Sequence, residues 1–212
     1  RLQEKSTVQH PGIDLIDQPS SRQPGPPRIT WAARWEHDKN PELFFQAVYR
    51  LKEQGLKFRL NVLGQSFRNS PEIFQTAQKE LAKEIDQWGF LEDINDYRTT
   101  LQQTDIFVST AQHEFFGLAA VEAMSAGAYP LLPDRLSYPE LLQRETFPDR
   151  DHYFYEGDLP SLVSRLGALI EQFSGTGNGP QLDATLSHEM ARFQWSVRAP
   201  DMDRAIEHLQ VS

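Results

Sequence analysis

Residues 106–132 read IFVSTAQHEFFGLAAVEAMSAGAYPLL, and the periodicity of this stretch decides the fold. Ile106 to Ser109 predicts a short buried strand, Gly117 to Ala126 a helix, and Tyr129 to Leu132 a second buried strand. Strand, loop, helix and strand in that order form the building unit of a parallel sheet. The same unit recurs upstream. Ile29 to Ala33, Phe58 to Leu63 and Trp88 to Leu91 read as strands; Pro41 to Gln54, Pro71 to Ile85 and Tyr97 to Gln103 read as helices. Asn40 is expected to cap the first helix, with Pro41 in its first turn. Downstream, Pro139 to Gln143 predicts a helical turn, Leu159 to Phe173 a helix, and 182–193 and 201–210 two more helical segments. The strands are apolar on both faces, so the fold class is α/β: a Rossmann-like parallel sheet with helices on both faces. Residues 1–27 are rich in Pro, Gly, Ser and Gln and read as a connecting segment leading into one domain, 28–212. A chain that starts on such a segment is expected to be preceded by another domain.

Composition narrows the possibilities. With 39% hydrophobic and 24% charged residues, the chain can build its own core without disulfides or structural metals. It has no cysteine and no Asn-x-Ser/Thr acceptor, which fits a reducing, cytoplasmic setting. The most apolar run, Phe115 to Leu132, is interrupted by Glu122, Ser125, Gly127 and Pro130, so no membrane span is expected. A net charge of −9 makes the chain a poor general nucleic-acid binder by itself.

In such sheets, ligands bind beyond the carboxyl ends of the strands. The loops after Ala33, Leu63, Leu91 and Ser109 should therefore line the site. The first of them carries Arg34 and Lys39, five residues apart and just ahead of a helix N-terminus. A planar guanidinium fork, a mobile ammonium and free helix N–H groups suit a diphosphate, although the spacing also allows two ordinary surface cations. The loop after Ser109 carries Glu114 and, inside the next helix, Glu122. Glu122 is set among Leu118, Ala119, Val121, Ala123 and Met124, and a buried carboxylate there needs a hydroxyl or cationic partner, for which a ribose diol is suitable. The backbone N–H groups of Phe116, Gly117 and Leu118 are expected to face an anion. The bland alternative makes Glu114 a helix cap and lets Glu122 reach solvent. No Asp-x-Asp or Asp/His cluster has metal spacing; Asp93 and Asp96 read as turn residues, and His188-Glu189 lacks a second histidine. Gly175, Gly177 and Gly179 follow a helix rather than a strand and read as a loop. Trp31, Trp35, Trp88 and Trp195 read mostly as packing.

The order Arg34–Lys39, Gly64, Gly89-Phe90, then Glu114 and Glu122 with seven residues between, resembles the C-terminal domain of the large group 1 family of retaining glycosyltransferases. That family has the two-Rossmann GT-B fold. His10-Pro11-Gly12-Ile13-Asp14 is similar to the stretch that leads into its second domain. The resemblance implies that Arg34 and Lys39 hold a donor diphosphate, Glu114 meets the sugar hydroxyls, Glu122 meets the ribose, and the segment after Gly89 lies near the base. It implies a nucleotide-sugar substrate, no metal or other cofactor, and an acceptor domain preceding this chain. The motif usually has Gly before its Arg; Ala33 stands there here and narrows the space near the phosphates. Residues 34–42, 62–67, 88–90 and 109–117, with Tyr129-Pro130-Leu131 and Tyr138-Pro139-Glu140, are more closely similar to the tRNA-queuosine mannosyltransferase family. That likeness implies GDP-mannose as donor and queuosine of tRNA-Asp as acceptor, the tRNA being held mainly by the preceding domain.

Overall fold

Short apolar runs, buried in every strand but the edge strand β3, produce six strands that pair in parallel. A computed structural model describes residues 8–18, 22–175, 180 and 184–210, with only the backbone described at 208–210. The strands are β1 (Arg28–Ala32), β2 (Arg59–Leu63), β3 (Ile85–Gly89), β4 (Ile106–Val108), β5 (Tyr129–Pro133) and β6 (Phe154–Tyr155), in the order β3-β2-β1-β4-β5-β6. The helices are α1 (Pro41–Glu53), α2 (Ile73–Glu80), α3 (Ile94–Gln102), α4 (Leu118–Ser125), α5 (Tyr138–Leu141), α6 (Leu159–Gly175), α7 (Ala184–Glu189) and α8 (Trp195–Gln210).

The strand order steps outward one way from β1 to β3 and the other way from β4 to β6. Right-handed crossovers then place α1 and α2 on one face and α3 and α4 on the other. The packing agrees: α1 lies against α2 and α6, and α4 against α3 and α7. Phe44, Phe45, Val48 and Leu51 of α1 close the core on one side; Ala120, Val121, Ala123 and Met124 of α4 close it on the other. Between β1 and β4 the order reverses, and this switch point leaves a crevice beyond the carboxyl ends of the strands.

Several boundaries differ from expectation for physical reasons. Strand β3 begins at Ile85, where the hydrophobic pattern pointed to a helix end. It is an edge strand with exposed Asp86 and Gln87, and Asp86 accepts from Arg59 Nε of β2 at 2.9 Å. Strand β6 is only two residues long and leaves no periodic trace. Helix α8 starts at Trp195 and runs through Pro200, a residue that breaks helices when read as sequence. The expected linker also needs correction. Residues 8–18 hold no helix or strand, but they pack as part of the domain: Ile13 and Ile16 are core residues. Ile13 N donates to Phe193 O at 2.8 Å, Trp195 N to Ile13 O at 3.2 Å, and Ile16 N to Ser125 Oγ at 3.1 Å.

Gly64 marks how tightly the carboxyl ends of the strands are drawn together. It ends β2 with φ +149°, and its N–H donates to Gly89 O at 3.0 Å. A Cβ there would lie 1.8 Å from the Ala33 carbonyl oxygen, so the backbone itself blocks any side chain. Gly64→Ala is expected to lower unfolding stability by roughly 2–4 kcal/mol through positive φ and backbone overlap. Urea denaturation checks this, and an unchanged midpoint would show that the ends of β1 and β2 move apart freely.

Candidate functional site

The chain leaves β1 through Ala33-Arg34-Trp35. Trp35 is buried and stacks on Phe74 at 4.1 Å between ring centroids, with Trp88 edge-on at 5.4 Å. The Trp35 backbone N–H donates to Gln65 O at 3.0 Å. With Trp35 anchored inward, Arg34 stands outward, its side chain 62% exposed and its Nη2 3.0 Å from Glu36 Oε2. An exposed pair of this kind is weak and readily exchanged. A 3-10 turn, His37–Lys39, follows. Asn40 ends the turn in the left-handed region at φ 50°, and its side chain makes no capping bond. The turn conformation, which Asn tolerates better than most residues, accounts for it.

Lys39 is the buried cation of the site. Its Nζ donates to His113 O at 2.5 Å and lies 3.3 Å from Asp38 Oδ2 and 3.5 Å from Glu114 Oε2. The backbone repeats the clasp: Gln112 N donates to Asp38 O at 2.7 Å, and Thr110 Oγ1 to Lys39 O at 2.8 Å. Trp31 Nε1 donates in turn to Thr110 Oγ1 at 3.0 Å. The loops after β1 and β4 are therefore one unit.

Glu114 organises the turn into α4. Its Oε1 accepts from the N–H groups of Phe115 and Gly117 at 3.1 Å each and of Phe116 at 3.4 Å. Two of the three N–H groups expected to face an anion are thus occupied by this carboxylate. Leu118, Ala119 and Ala120, in the first turn of α4, are the N–H groups with no partner inside the helix. Gly117 has φ +98°, and a Cβ there would lie 3.0 Å from the Tyr138 ring. Tyr138 is held by Ser109 Oγ at 2.7 Å, and Ser137 Oγ donates to Phe116 O at 3.1 Å. The Phe116 ring is turned away from the strand ends, against Phe193 at 4.9 Å and His10 at 5.4 Å.

Glu122 meets a hydroxyl of the protein: Tyr97 OH on α3 donates to its Oε2 at 2.6 Å. Burial pushes the Glu122 carboxyl above the usual range, while the Tyr97 hydrogen bond and Arg98 pull it down and Asp14 pushes it up. Burial, then Glu122, likewise raises the Tyr97 phenol, so it keeps its proton at neutral pH.

Two connected hollows lie over these strand ends. The larger, about 430 Å³, runs from Ala32, Ala33 and Arg34 past Gly64 and Gln65 to Gly89, Phe90, Glu92 and Ile94, with Tyr97 and Ala119 in its wall. The smaller, about 20 Å³, lies between Lys39, Ser109, Glu114, Gly117 and Tyr138 and shares Ala32, Ala33 and Ala119 with the larger one. Its size suits one water. Exposed Phe90 and Ile94 form an apolar lip at the far end of the larger hollow.

Of the residues singled out from sequence, Arg34, Gly64, Gly89 and Phe90 line the larger hollow, and Lys39, Glu114 and Gly117 the smaller. Phe116, Leu118 and Glu122 line neither. Tyr97, Ala119, Ser109 and Tyr138 were not anticipated; no spacing along the chain links Tyr97 to a carboxylate on another helix. Trp31 and Trp35 are core residues, whereas Trp195 is about half exposed. Asp93 caps α3 by accepting from Asn95 N at 2.8 Å. Glu189 of the His188-Glu189 pair accepts from buried Arg150 at 2.7 and 2.9 Å. Gly175 ends α6, while Gly177 and Gly179 lie outside the described residues.

The sequence profile of the family described as "Glycosyl transferases group 1" matches residues 13–146. The chain belongs to this family. It is 41% identical over 117 residues to a tRNA-queuosine alpha-mannosyltransferase of Drosophila melanogaster, a match covering 55% of this chain and 31% of that protein. It is 57% identical over 37 residues to a GDP-mannose:cellobiosyl-diphosphopolyprenol alpha-mannosyltransferase of Xanthomonas oryzae pv. oryzae strain PXO99A, covering 18% of this chain and 10% of that one. Among solved structures, sucrose-phosphate synthase from Thermosynechococcus elongatus superposes with a TM-score of 0.71 at 17% identity, over 88% of this chain and 46% of the synthase. The chain thus spans less than half the length of each. The parallel sheet, its order and its helices are those of a Rossmann-like domain of the GT-B glycosyltransferases.

Glu122 gives a pH signature. Burial raises its pKa in the folded state, so the folded protein binds more protons than the unfolded one just above the usual carboxylate range. Stability contributed by the neutral carboxyl is present below that range and lost as pH rises through the raised pKa. The stability of Glu122→Gln relative to the unchanged protein is therefore expected to increase from about pH 4 to about pH 7. Urea unfolding across that range measures it; a difference independent of pH would mean that burial does not govern this carboxyl.

Proposed function

We propose that this chain is the donor-binding domain of a retaining, metal-independent glycosyltransferase that takes mannose from GDP-mannose and places it on queuosine of tRNA-Asp. The observation that carries the donor reading is the long hollow over β3, β2 and β1, with an apolar lip at one end and Arg34 at the other, next to Lys39 and the N-terminus of α4. Strands in a sheet stand about 4.8 Å apart, so this hollow spans about 10 Å from the base end to the phosphate end, the reach of a nucleoside diphosphate. The base would lie at Phe90 and Ile94, and the diphosphate between Arg34 and the first turn of α4.

In transfer, the bond from the anomeric carbon to the phosphate oxygen breaks and its electron pair leaves with the nucleoside diphosphate, while the acceptor hydroxyl oxygen bonds to that carbon and its proton passes to the departing phosphate. Negative charge grows on the phosphates while the sugar acquires oxocarbenium character. Lys39 and the N–H groups of Leu118 to Ala120 are preorganised for that charge, and Arg34 would exchange its weak pair with Glu36 to join them. Glu114, beside Lys39, would meet the sugar hydroxyls at the mouth of the small hollow. The choice of mannose and of the tRNA acceptor is supported by the relative named for that reaction. GDP as the carrier is supported by the name of the Xanthomonas relative. With a net charge of −9, this domain would leave most of the tRNA contact to another part of the protein. The reading places the enzyme in the cytoplasm. Among the described residues, no helix is long and apolar enough to cross a membrane.

The Xanthomonas relative is named for a lipid-linked acceptor, and this favours a second reading: the same donor chemistry on a diphosphopolyprenol saccharide.

Titration calorimetry with GDP, UDP and ADP in EDTA tests the donor reading. GDP is expected to bind more tightly than the other two without metal. Arg34→Ala is expected to weaken it roughly 10-fold or more, the loss of a charge-assisted hydrogen bond. Preference for UDP or ADP would discard GDP-mannose, and metal-dependent binding would discard the cation assignment. Assays of the whole protein on queuosine-containing tRNA and on a polyprenol-linked saccharide separate the two acceptors.

A further inference from the structure

The turn from Glu114 to Gly117 is a wall with two faces. On one face Glu114 stands beside Lys39 and lines the small hollow over the strand ends. The other face borders a separate hollow of about 550 Å³. Buried Phe116 and Phe193 line it, their rings 4.9 Å apart, with the His10 ring against both at 5.4 and 5.5 Å. The arginines in its wall already have partners. Arg192 donates to Leu141 O at 2.6 Å; Arg198 donates to His10 O at 3.2 Å and to Asp201 at 2.7 Å. That favours a neutral ligand over an anion.

Two groups of this hollow remain open to a ligand. Phe115 is 100% exposed, yet it stands on a fixed turn: its N–H is held by Glu114 Oε1 at 3.1 Å, and Ser137 Oγ holds Phe116 O at 3.1 Å. A ring presented in this way loses little freedom when something covers it. Glu140, on α5, is the other. Its Oε1 lies 3.3 Å from His10 Nε2, but its side chain is 64% exposed, so the carboxylate still has acceptor sites for hydroxyl groups. A flat apolar ring beside an exposed carboxylate suits a molecule with C–H bonds on its face and hydroxyl groups on its edge. Saccharide rings and cyclic diols are of this kind.

The position supplies the role. In the donor reading the sugar hydroxyls meet Glu114, and the acceptor hydroxyl must reach the anomeric carbon there. Phe115 is the next residue, and the second hollow begins at it. We propose that this hollow takes the hydroxylated ring of the acceptor, with Phe115 stacked on the face of the ring and Glu140 accepting from its hydroxyl groups. The proposal rests on the reading of the strand ends as a nucleotide-sugar site. It puts contacts that select the acceptor on the donor-binding domain.

The test uses the whole protein with GDP-mannose and, in separate arms, queuosine-containing tRNA and a polyprenol-linked saccharide. It reads KM for whichever acceptor is mannosylated. Phe115→Ala is expected to raise that KM roughly 5-fold or more, the worth of one stacked ring. GDP affinity by calorimetry should stay unchanged, because alanine keeps the N–H that Glu114 holds. Phe115→Tyr keeps the flat face and should keep the KM. Glu140→Gln is expected to raise it roughly 3-fold or more, as hydrogen bonds to a charged acceptor become neutral ones. Phe115 carries the decision, since a fully exposed ring can be removed without unfolding the chain. An acceptor KM that does not move in Phe115→Ala overturns the proposal, and so does an equal rise in Phe115→Tyr. A lower unfolding midpoint of the whole protein with that KM unchanged overturns it too, and makes the hollow an interface with another part of the protein. GDP binding with no transfer to either acceptor overturns the acceptor assignment and leaves the donor reading standing. If GDP fails to bind the unchanged protein, the donor reading falls first and takes this one with it.

Discussion

The site depends on one buried ammonium. Lys39 is drawn out of water between the loops that follow β1 and β4, and a lysine so placed is costly unless its protons are accepted. The His113 carbonyl, Asp38 and Glu114 meet it, and one of the three comes from its own loop while two come from the other. The clasp therefore makes the two sides of the switch point a single rigid body. Arg34 on one side and the first turn of α4 on the other keep their relation because of it. Glu114 serves both ends of the arrangement, with one oxygen toward Lys39 and the other gathering the N–H groups of residues 115–117.

Around that clasp, the walls are set by what cannot fit. Gly64 admits the Ala33 carbonyl where any side chain would collide with backbone. Trp35 fills the space beneath its own loop and leaves Arg34 facing out. The result is a long hollow whose floor is small residues and whose ends differ in polarity. In a chain whose net charge is −9, Arg34 and Lys39 still stand together at one end of these hollows. Lys39 is held by the fold and Arg34 stands exposed near it, and a local field in a partly enclosed crevice outweighs a distant surplus of carboxylates screened by salt.

Much is legible in the residues themselves. The strand–helix alternation, the switch-point loops and the pair Arg34 and Lys39 all follow from local pattern and from the rule that parallel sheets bind at their carboxyl ends. Boundaries were missed where tertiary pairing overrode local pattern: Asp86 and Gln87 are polar yet lie in β3 because Arg59 meets Asp86 across the edge. Residues 8–18 read as a linker because they lack periodicity, but Ile13 and Ile16 bury themselves against the C-terminal segment and α4.

By itself, the sequence determined the class of fold, the order of its elements and the neighbourhood in which charge would gather. Each of these depends on periodicity and on residues close together in the chain. Only the tertiary structure decided which groups face the ligand space. Phe116 turns to His10 and Phe193, and the N–H groups of Phe116 and Gly117 are taken by Glu114. Tyr97, twenty-five residues from Glu122, supplies the hydroxyl that a buried carboxylate requires. Side-chain direction and hydrogen-bond partnership depend on elements packed side by side, and distance along the chain carries no record of that.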